Sequence, residues 1–173
     1  MRWTLLMALT FATAASADEG LPAGTEAPAF SLKTLGPSPK MVALKDLVGK
    51  SAKEPKKAVL LSFGASYCEP CKKEMAELVH LVPGWEKEGV FTAVVLIDTE
   101  ADDIAKMEKY LLEELKAPFP VLADRFNILA RRYKAELLPY AVLIDASGTV
   151  RWSHTGYDKK ALTEAIASVL KGS

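Results

Sequence analysis

Two uninterrupted apolar runs lie in the middle of the chain, at residues 58–64 (AVLLSFG) and 90–97 (VFTAVVLI). Nearly every position in both runs is apolar, and each run has the length of one strand. Such runs are typical of strands buried on both faces of a sheet, whereas a strand with one wet face alternates apolar and polar residues. The pattern therefore predicts two central strands that other elements cover on both sides.

The segment after each run repeats apolar residues at intervals of three and four, which predicts one amphipathic helix in each place. The apolar stripe of the first helix, which starts near Glu69, consists of Met75, Leu78, Val79 and Val82. The stripe of the second helix consists of Ile104, Met107, Leu111, Leu112 and Leu115. Pro83-Gly84 is expected to end or sharply bend the first helix, because a proline ring clashes with the preceding helical turn.

Shorter patterns complete the predicted order of elements. Short apolar stretches at 29–32 and 41–44 flank the turn-rich residues 36–39 (GPSP) and predict an N-terminal hairpin. The other predicted elements are a short extended piece at 119–122, a short helix at 126–133, a hairpin of strands 140–145 and 149–152, and a terminal helix at about 159–170. Strands that alternate with helices in this way predict an α/β fold, with a mixed central sheet and helices on both faces.

The first 17 residues have the pattern of a secretory signal peptide. Arg2 supplies a positive charge, an apolar stretch follows, and Ala15-Ser16-Ala17 provides the small residues of a cleavage position. The apolar stretch is shorter than the roughly 20 residues that span a bilayer, so we expect cleavage after Ala17 and no transmembrane anchor afterwards. We therefore expect an exported, periplasmic or extracytoplasmic protein whose residues 18–173 form a single domain.

The charge balance gives no support for a nucleic-acid partner. The chain has 22 Lys and Arg residues against 22 Asp and Glu residues. Nucleic-acid-binding proteins usually carry a basic footprint instead. We therefore expect partners of another class.

Cys68 and Cys71 form a CEPC string and are the only cysteines of the chain. A structural zinc site needs four Cys or His ligands, and the two histidines, His80 and His154, are far apart in sequence. A purely structural disulfide would close a loop too short to constrain the unfolded chain much. The string therefore favours a dithiol that cycles between thiol and disulfide over these two alternatives.

The predicted position of Cys68 favours a reactive thiol. At a helix N-terminus the partial positive charge of the helix stabilises a thiolate and lowers the thiol pKa from its usual value of about 8.5. Pro70 fits the first helical turn, where a missing N–H has no helical partner to lose. Cys71 then lies one turn along on the same face. Glu74, three residues further, is either a functional carboxylate, which relays a proton to or from Cys71 or raises the thiol pKa values by like-charge repulsion, or an ordinary exposed glutamate.

Residues 63–74 (FGASYCEPCKKE) resemble the active-site stretch of exported thioredoxin-like proteins, and the CEPCKKE string is most similar to the ResA and TlpA type of thiol-disulfide oxidoreductase. Residues 24–32 are similar to the opening of that family, and residues 138–145 to its late strand. The resemblance covers nearly all of the chain after residue 17. It implies a thioredoxin-like fold whose mixed central sheet carries an N-terminal β-hairpin and a central αβ insertion.

The resemblance also implies roles for residues outside the CEPC string. Pro139 would be the cis-proline that faces the dithiol, and Leu138 before it would offer its backbone to an extended substrate segment. Glu74 falls where ResA-like proteins carry a glutamate near the thiols. Tyr67 stands in place of a usual tryptophan as an aromatic platform. Ser62 stands where thioredoxins proper have a buried acid, so their proton-transfer route is not carried over to this chain.

The sequence therefore predicts an extracytoplasmic enzyme that reduces protein disulfides, with cytochrome c maturation as the pathway that the resemblance implies. Its partners would be protein disulfides and a membrane protein that delivers electrons, and no cofactor or metal is expected. The predicted catalytic residues are Cys68, Cys71 and Glu74, and the predicted substrate-binding residues are Tyr67, Pro70, Leu138 and Pro139.

Three alternatives stay open at this point. A copper chaperone with a thioredoxin fold would use the two thiols and His154 as a third ligand. A peroxiredoxin-like peroxidase would need a peroxidatic cysteine in a threonine-rich loop, which the CEPC string does not provide. Net oxidase or isomerase action would use the same residues as the reductase and differ in reduction potential.

Overall fold

The computed structural model describes residues 20–172, so the predicted signal peptide at residues 1–17 lies outside the described residues. In chain order the elements are β1 (Ser31–Lys33), β2 (Met41–Ala43), α1 (Leu44–Leu47), β3 (Ala58–Gly64), α2 (Glu69–Lys87), β4 (Val90–Leu96), α3 (Ala101–Lys109), a π-helical segment (Tyr110–Glu114), β5 (Val121–Ala123), α4 (Ile128–Arg132), β6 (Tyr140–Asp145), β7 (Val150–Thr155) and α5 (Lys159–Lys171). The two long apolar runs are thus the strands β3 and β4, as predicted.

A five-stranded mixed sheet in the order β5-β4-β3-β6-β7 forms the centre of the fold. β3 runs parallel to β4 and antiparallel to β6. β5 pairs parallel with β4, and β7 pairs antiparallel with β6. β3 has a neighbouring strand on each side and core residues on each face. All 7 of its positions are therefore buried. The prediction of a thioredoxin-like α/β fold with a mixed central sheet is confirmed.

The N-terminal part of the chain runs along both outer strands of this sheet. β1 and β2 form the predicted antiparallel hairpin. After β1, Thr34 bridges to Leu122 of β5. Before β1, Glu26 bridges to Thr149, the residue directly before β7, and the N–H of Gly24 donates to the carbonyl of Val150 in β7 at 2.7 Å. Residues 24–34 therefore contact the two opposite edges of the sheet.

Alternate side chains of β3 point to opposite faces of the sheet, and each face has its own core cluster. On one face the ring centroid of Phe63 lies 5.7 Å from that of Tyr133 and 5.8 Å from that of Tyr140. On the other face Leu60 packs in the cluster that holds the inner side of α2. Ser62 shares this second face, and its hydroxyl bonds to a side chain of α2.

The first predicted helix does not end at Pro83. α2 continues through Pro83 to Lys87, although the proline leaves the Val79 carbonyl without its usual helical donor. Val82 and Trp85, on either side of the Pro83-Gly84 pair, are buried in the same core cluster, and this packing holds the last turn. Neither α2 nor any other helix within residues 20–172 is long and apolar enough to cross a membrane.

The second predicted helix changes from an α-helix to a π-helix halfway along its length. α3 ends at Lys109 and a π-helical segment follows, in which the N–H of Leu115 donates to the Tyr110 carbonyl at 2.9 Å. The wider turn keeps Leu111 buried while Leu112 packs at the margin of the core. α3, the π-helical segment and β5 together form the predicted central αβ insertion.

Gly84→Ala is expected to stabilise the protein by about 0.5–1 kcal/mol, because alanine loses less backbone entropy than glycine when a helix forms. The position is exposed, and an added Cβ would meet no heavy atom within 4 Å. Urea unfolding of the oxidised protein measures the change. Gly89→Ala is the matched control: Gly89 has a φ of +95°, which disfavours alanine, so this variant should be less stable than the wild type.

Candidate active site

The CEPC string stands at the start of α2, after the short loop that follows β3. Its two cysteines are joined by a disulfide with a Cα–Cα distance of 5.3 Å. Cys68 is the N-cap residue of α2, and its Sγ accepts a hydrogen bond from the N–H of Cys71 at 3.2 Å. Cys68 is 7% exposed and Cys71 only 1% exposed. Both cysteines are thus buried, and Cys68 is the more accessible residue of the two.

The position of Cys68 at the start of a 19-residue helix favours its thiolate. The partial positive charge of a helix N-terminus stabilises an anion there, and the Cys71 N–H donor would act in the same direction after reduction. Pro70 lies within the first turn, as predicted, and is exposed. Glu69 is also exposed, and it pairs with Lys72 at 2.6 Å rather than with either cysteine.

Gly64, the last residue of β3, allows the cysteine-bearing helix to lie close to the sheet. A Cβ built on Gly64 would overlap the terminal methyl of Met75 and lie 3.1 Å from the Cβ of Cys71. Any larger residue would therefore push against the helix at Cys71. The hydrophobic pattern did not indicate this role, although a glycine at the end of a buried strand signals a close approach of another element.

Asp98 anchors the loop before Cys68. It lies two residues after β4 and is 4% exposed, and its carboxylate accepts hydrogen bonds from the Ser66 N–H at 3.0 Å and from the Ser66 hydroxyl at 2.6 Å. The sequence pattern did not single out this residue either. Its signal was the position directly after the apolar run 90–97, since the carboxyl ends of the parallel strands β3 and β4 meet at one edge of the sheet.

Glu74 is a buried carboxyl group on α2, three residues after Cys71. It is 1% exposed, and its Oε1 accepts a hydrogen bond from the Ser62 hydroxyl at 2.8 Å. Burial raises the pKa of Glu74 from 4.5 to about 7, and the hydrogen bond from Ser62 partly opposes that rise. Of the two interpretations left open by the sequence, an exposed surface glutamate is thus not what the structure contains.

The Leu138–Pro139 segment lies at the same end of the sheet as the CEPC string. Its peptide bond is cis, Pro139 is buried, and the Pro139 carbonyl accepts a hydrogen bond from the N–H of Gly156 at 2.7 Å. The next residue, Tyr140, pairs with Phe63 near the end of β3. This register brings Leu138 and Pro139 to the edge from which the cysteine loop leaves.

The remaining predicted residues fall into two places. The side chain of Tyr67, directly before Cys68, is 74% exposed and offers an aromatic surface beside the disulfide. His154 lies on β7 and stacks on Trp152, with ring centroids 5.6 Å apart. Within residues 20–172, no group of three or more His, Cys, Asp or Glu side chains is arranged to hold a metal ion.

Comparisons with known proteins agree with this site. The model of the AhpC/TSA family matches residues 23–153. Thiol-disulfide oxidoreductase ResA of Bacillus cereus is 33% identical over 135 residues, which cover 78% of this chain and 70% of that protein. The Thioredoxin-like protein YneN of Bacillus subtilis is 31% identical over 147 residues, which cover 84% of this chain and 79% of that protein.

Among solved structures, a Chlorobium tepidum protein assigned as thiol:disulfide interchange protein DsbE has a TM-score of 0.72 and 27% identity, and the match covers 87% of this chain and 99% of that one. Its description and those of the two sequence relatives name thioredoxin-like or thiol-disulfide proteins. Sequence and structure comparisons therefore point to the same class of redox protein.

Glu74→Gln is expected to stabilise the oxidised protein increasingly as the pH rises. Because folding raises the pKa of Glu74 from 4.5 to about 7, the folded state keeps a proton that the unfolded state releases between these values, and stability is lost as the pH rises through that window. Glutamine does not titrate, so the variant does not lose stability in this way as the pH rises. We expect the stability difference between variant and wild type to grow by about 2 kcal/mol from pH 5 to pH 7.5.

Urea unfolding at both pH values measures this difference. Glu86→Gln is the matched control, because Glu86 is an exposed glutamate of the same helix. Its stability difference from the wild type should stay constant over the interval. An equally constant difference for Glu74→Gln would contradict the raised pKa.

Proposed function

Since the chain belongs to the AhpC/TSA family and is a thiol-disulfide oxidoreductase of the ResA-like kind, we propose that it reduces disulfides of client proteins. The observation that carries this proposal is the unequal burial of the two cysteine residues, since Cys68 is 7% exposed and Cys71 is 1% exposed. The more accessible cysteine at the helix N-terminus suits the attack on a client, and the more deeply buried cysteine one turn along suits the release of that client.

The proposed reaction has two steps that balance electrons and protons. The Cys68 thiolate attacks one sulfur of the client disulfide, so the client S–S bond breaks, a mixed disulfide forms, and the other client sulfur leaves as a thiolate that water protonates. The Cys71 thiol then gives its proton to the Glu74 carboxylate and attacks Cys68. The mixed disulfide breaks, the Cys68–Cys71 disulfide forms, and the second client sulfur leaves as a thiolate that takes a proton from water, so that the client is released as a dithiol, reduced by two electrons.

Glu74 is proposed as the proton acceptor for Cys71. A general base works best when its pKa lies close to the working pH, and burial raises the pKa of Glu74 to about 7. The position three residues after Cys71 on α2 places the carboxyl on the same side of the helix. Because Glu74 is buried, it would take the proton from Cys71 without exchanging that proton directly with water.

Client binding is assigned to the surface around the disulfide. Tyr67 and Pro70 are exposed on either side of Cys68, and Leu138 and Pro139 reach the same edge of the sheet through β6. Leu138 lies two residues before the first residue of β6, and its backbone is proposed to pair with an extended client segment. These four residues form the proposed substrate-binding surface.

The proposal includes a compartment, a donor and a pathway. The signal-peptide pattern of residues 1–17 supports export to a periplasmic or extracytoplasmic location. Because such a compartment is oxidising, a reductase there must receive electrons from a source outside the compartment. The proposed donor is a membrane protein with its own dithiol. The similarity to ResA supports cytochrome c maturation as the pathway, with the oxidised CxxCH cysteine pair of an apocytochrome as the client.

Cys71→Ser is expected to trap clients as mixed disulfides, because the sulfur that resolves the intermediate is missing. The experiment adds the reduced variant to a periplasmic extract and to a purified apocytochrome with an oxidised CxxCH pair, and identifies adducts by non-reducing gel and mass spectrometry. Cys68→Ser should give no adduct and no insulin disulfide reduction. Equal trapping by both variants would contradict the assignment of Cys68 as the attacking sulfur.

The direction of the reaction is tested by the reduction potential. A reductase should have a potential near that of thioredoxin, about −270 mV, whereas a strong oxidant lies near about −120 mV. The measurement equilibrates the protein with dithiothreitol or glutathione buffers and counts alkylated thiols by mass. A value near the oxidant end would contradict the reductase direction and leave the oxidoreductase chemistry in place.

A further inference from the structure

Ser62 is the polar residue in the otherwise apolar central strand β3. It is 1% exposed, as is its partner Glu74, and the two side chains bond across the contact between β3 and α2 at 2.8 Å. A buried hydroxyl on the central strand costs free energy unless it is paired. Nothing in the proposed reaction so far uses Ser62, although it touches the proposed proton acceptor.

We propose that Ser62 is a positioning residue of the redox site, whose hydroxyl keeps the Glu74 carboxyl in one place and remains its hydrogen-bond partner both before and after Glu74 takes the Cys71 proton. The inference rests on the proposed role of Glu74. It adds a residue on a different element, and it explains how a carboxyl group with so little solvent contact changes its protonation state.

The chemistry of a hydroxyl suits this task. A serine hydroxyl has one O–H donor and two acceptor lone pairs, and it rotates freely. When Glu74 is a carboxylate, Ser62 donates to it, as the observed geometry allows. When Glu74 is protonated, its own O–H donates to the Ser62 oxygen. The pair therefore keeps a hydrogen bond in both states, and no covalent bond to Ser62 forms or breaks.

The hydrogen bond from Ser62 also favours one protonation state of Glu74. A hydrogen bond donated to a carboxylate is stronger than one between neutral groups, so Ser62 favours the proton-accepting form of Glu74 and opposes the effect of burial on its pKa. Removing the hydroxyl should make Glu74 hold its proton up to a higher pH. The step that depends on the carboxylate would then shift to a higher pH as well.

Other titratable groups near Glu74 must be held constant in a test. On its own helix these are Cys71 and Cys68, which do not titrate while they form the disulfide. From the segment between β7 and α5, Tyr157 faces the same region. Burial, then Glu77 and Glu74, raise the pKa of Tyr157, so it stays neutral over the range of interest. In the oxidised protein, therefore, neither the cysteines nor Tyr157 titrates together with Glu74.

The first test is a carbon-13 NMR titration of the glutamate carboxyl carbons in the oxidised protein, with Glu74 assigned by its absence in Glu74→Gln. Ser62→Ala should raise the midpoint of Glu74 by about one pH unit, a tenfold change in its carboxylate-to-acid ratio. Ser62→Thr keeps the hydroxyl and should restore the midpoint. An unchanged midpoint in Ser62→Ala would overturn the proposal.

Thr92→Val is the matched control. Thr92 lies on the neighbouring strand β4 and is 3% exposed, and its hydroxyl has no hydrogen-bond partner among the described residues. This variant removes a buried hydroxyl without touching Glu74, so it should leave the midpoint where it is in the wild type. A shift as large as that of Ser62→Ala would show a general effect of core polarity and would also overturn the proposal.

The second test measures the release of a peptide dithiol from the mixed disulfide in a single turnover as a function of pH. In Ser62→Ala the rise of this rate with pH should move to higher pH, and in a Glu74→Gln background the same change should have no further effect. If Glu74→Gln removes the pH-dependent rise but Ser62→Ala leaves it unmoved, the proposal for Ser62 fails while the function proposed for Glu74 stands. If Glu74→Gln leaves the rise intact, the proposed function of Glu74 itself fails.

Discussion

The close contact between the end of β3 and the first turns of α2 is the constraint on which the site depends. Gly64 has no side chain to hold the helix away, and Met75 and Cys71 occupy the space that a Cβ would take. The same contact buries Cys71, keeps Cys68 at the helix N-terminus and brings Glu74 against Ser62. The burial of Cys71, the helix N-terminal position of Cys68 and the Ser62–Glu74 hydrogen bond therefore share one geometric cause.

This contact also places a cost on the folded state. A carboxyl group that is 1% exposed destabilises the protein whenever it is ionised, and within residues 20–172 a single side-chain hydrogen bond, from Ser62, compensates it. A structural role alone would be served better by an apolar residue at position 74. The cost is consistent with a group kept for its chemistry, as is common where stability and activity conflict.

The sequence alone was sufficient for the long strands, for the existence of the long helices and for the cysteine pair, because each depends on local pattern. It did not predict α1, whose first residue Leu44 was expected to belong to a strand. The run at 58–64 is β3 residue for residue, and the stripe after Glu69 lies on the buried side of α2. Pro83 misled the prediction because local preference favours a helix end there, while the burial of Trp85 on the far side outweighs it.

Contacts between distant elements were not predictable in the same way. The bonds from Ser66 to Asp98 and from Ser62 to Glu74 join residues 32 and 12 positions apart, and no periodicity announces them. The roles of Gly64 and Asp98 depend on which strands are neighbours, a property of the sheet order rather than of any one segment. Only the similarity to a known family brought Leu138 and Pro139 into the site from the sequence.

The N-terminal segment that runs along both outer strands has a consequence for how the protein meets extended chains. Unpaired strand edges act as templates on which other polypeptides add as extra strands. Here Thr34 contacts Leu122 of β5, and Glu26 contacts Thr149 directly before β7, so each margin of the sheet already has a neighbour where these contacts lie. The N-terminal segment thereby removes part of the unpaired backbone on which another polypeptide would add as an extra strand.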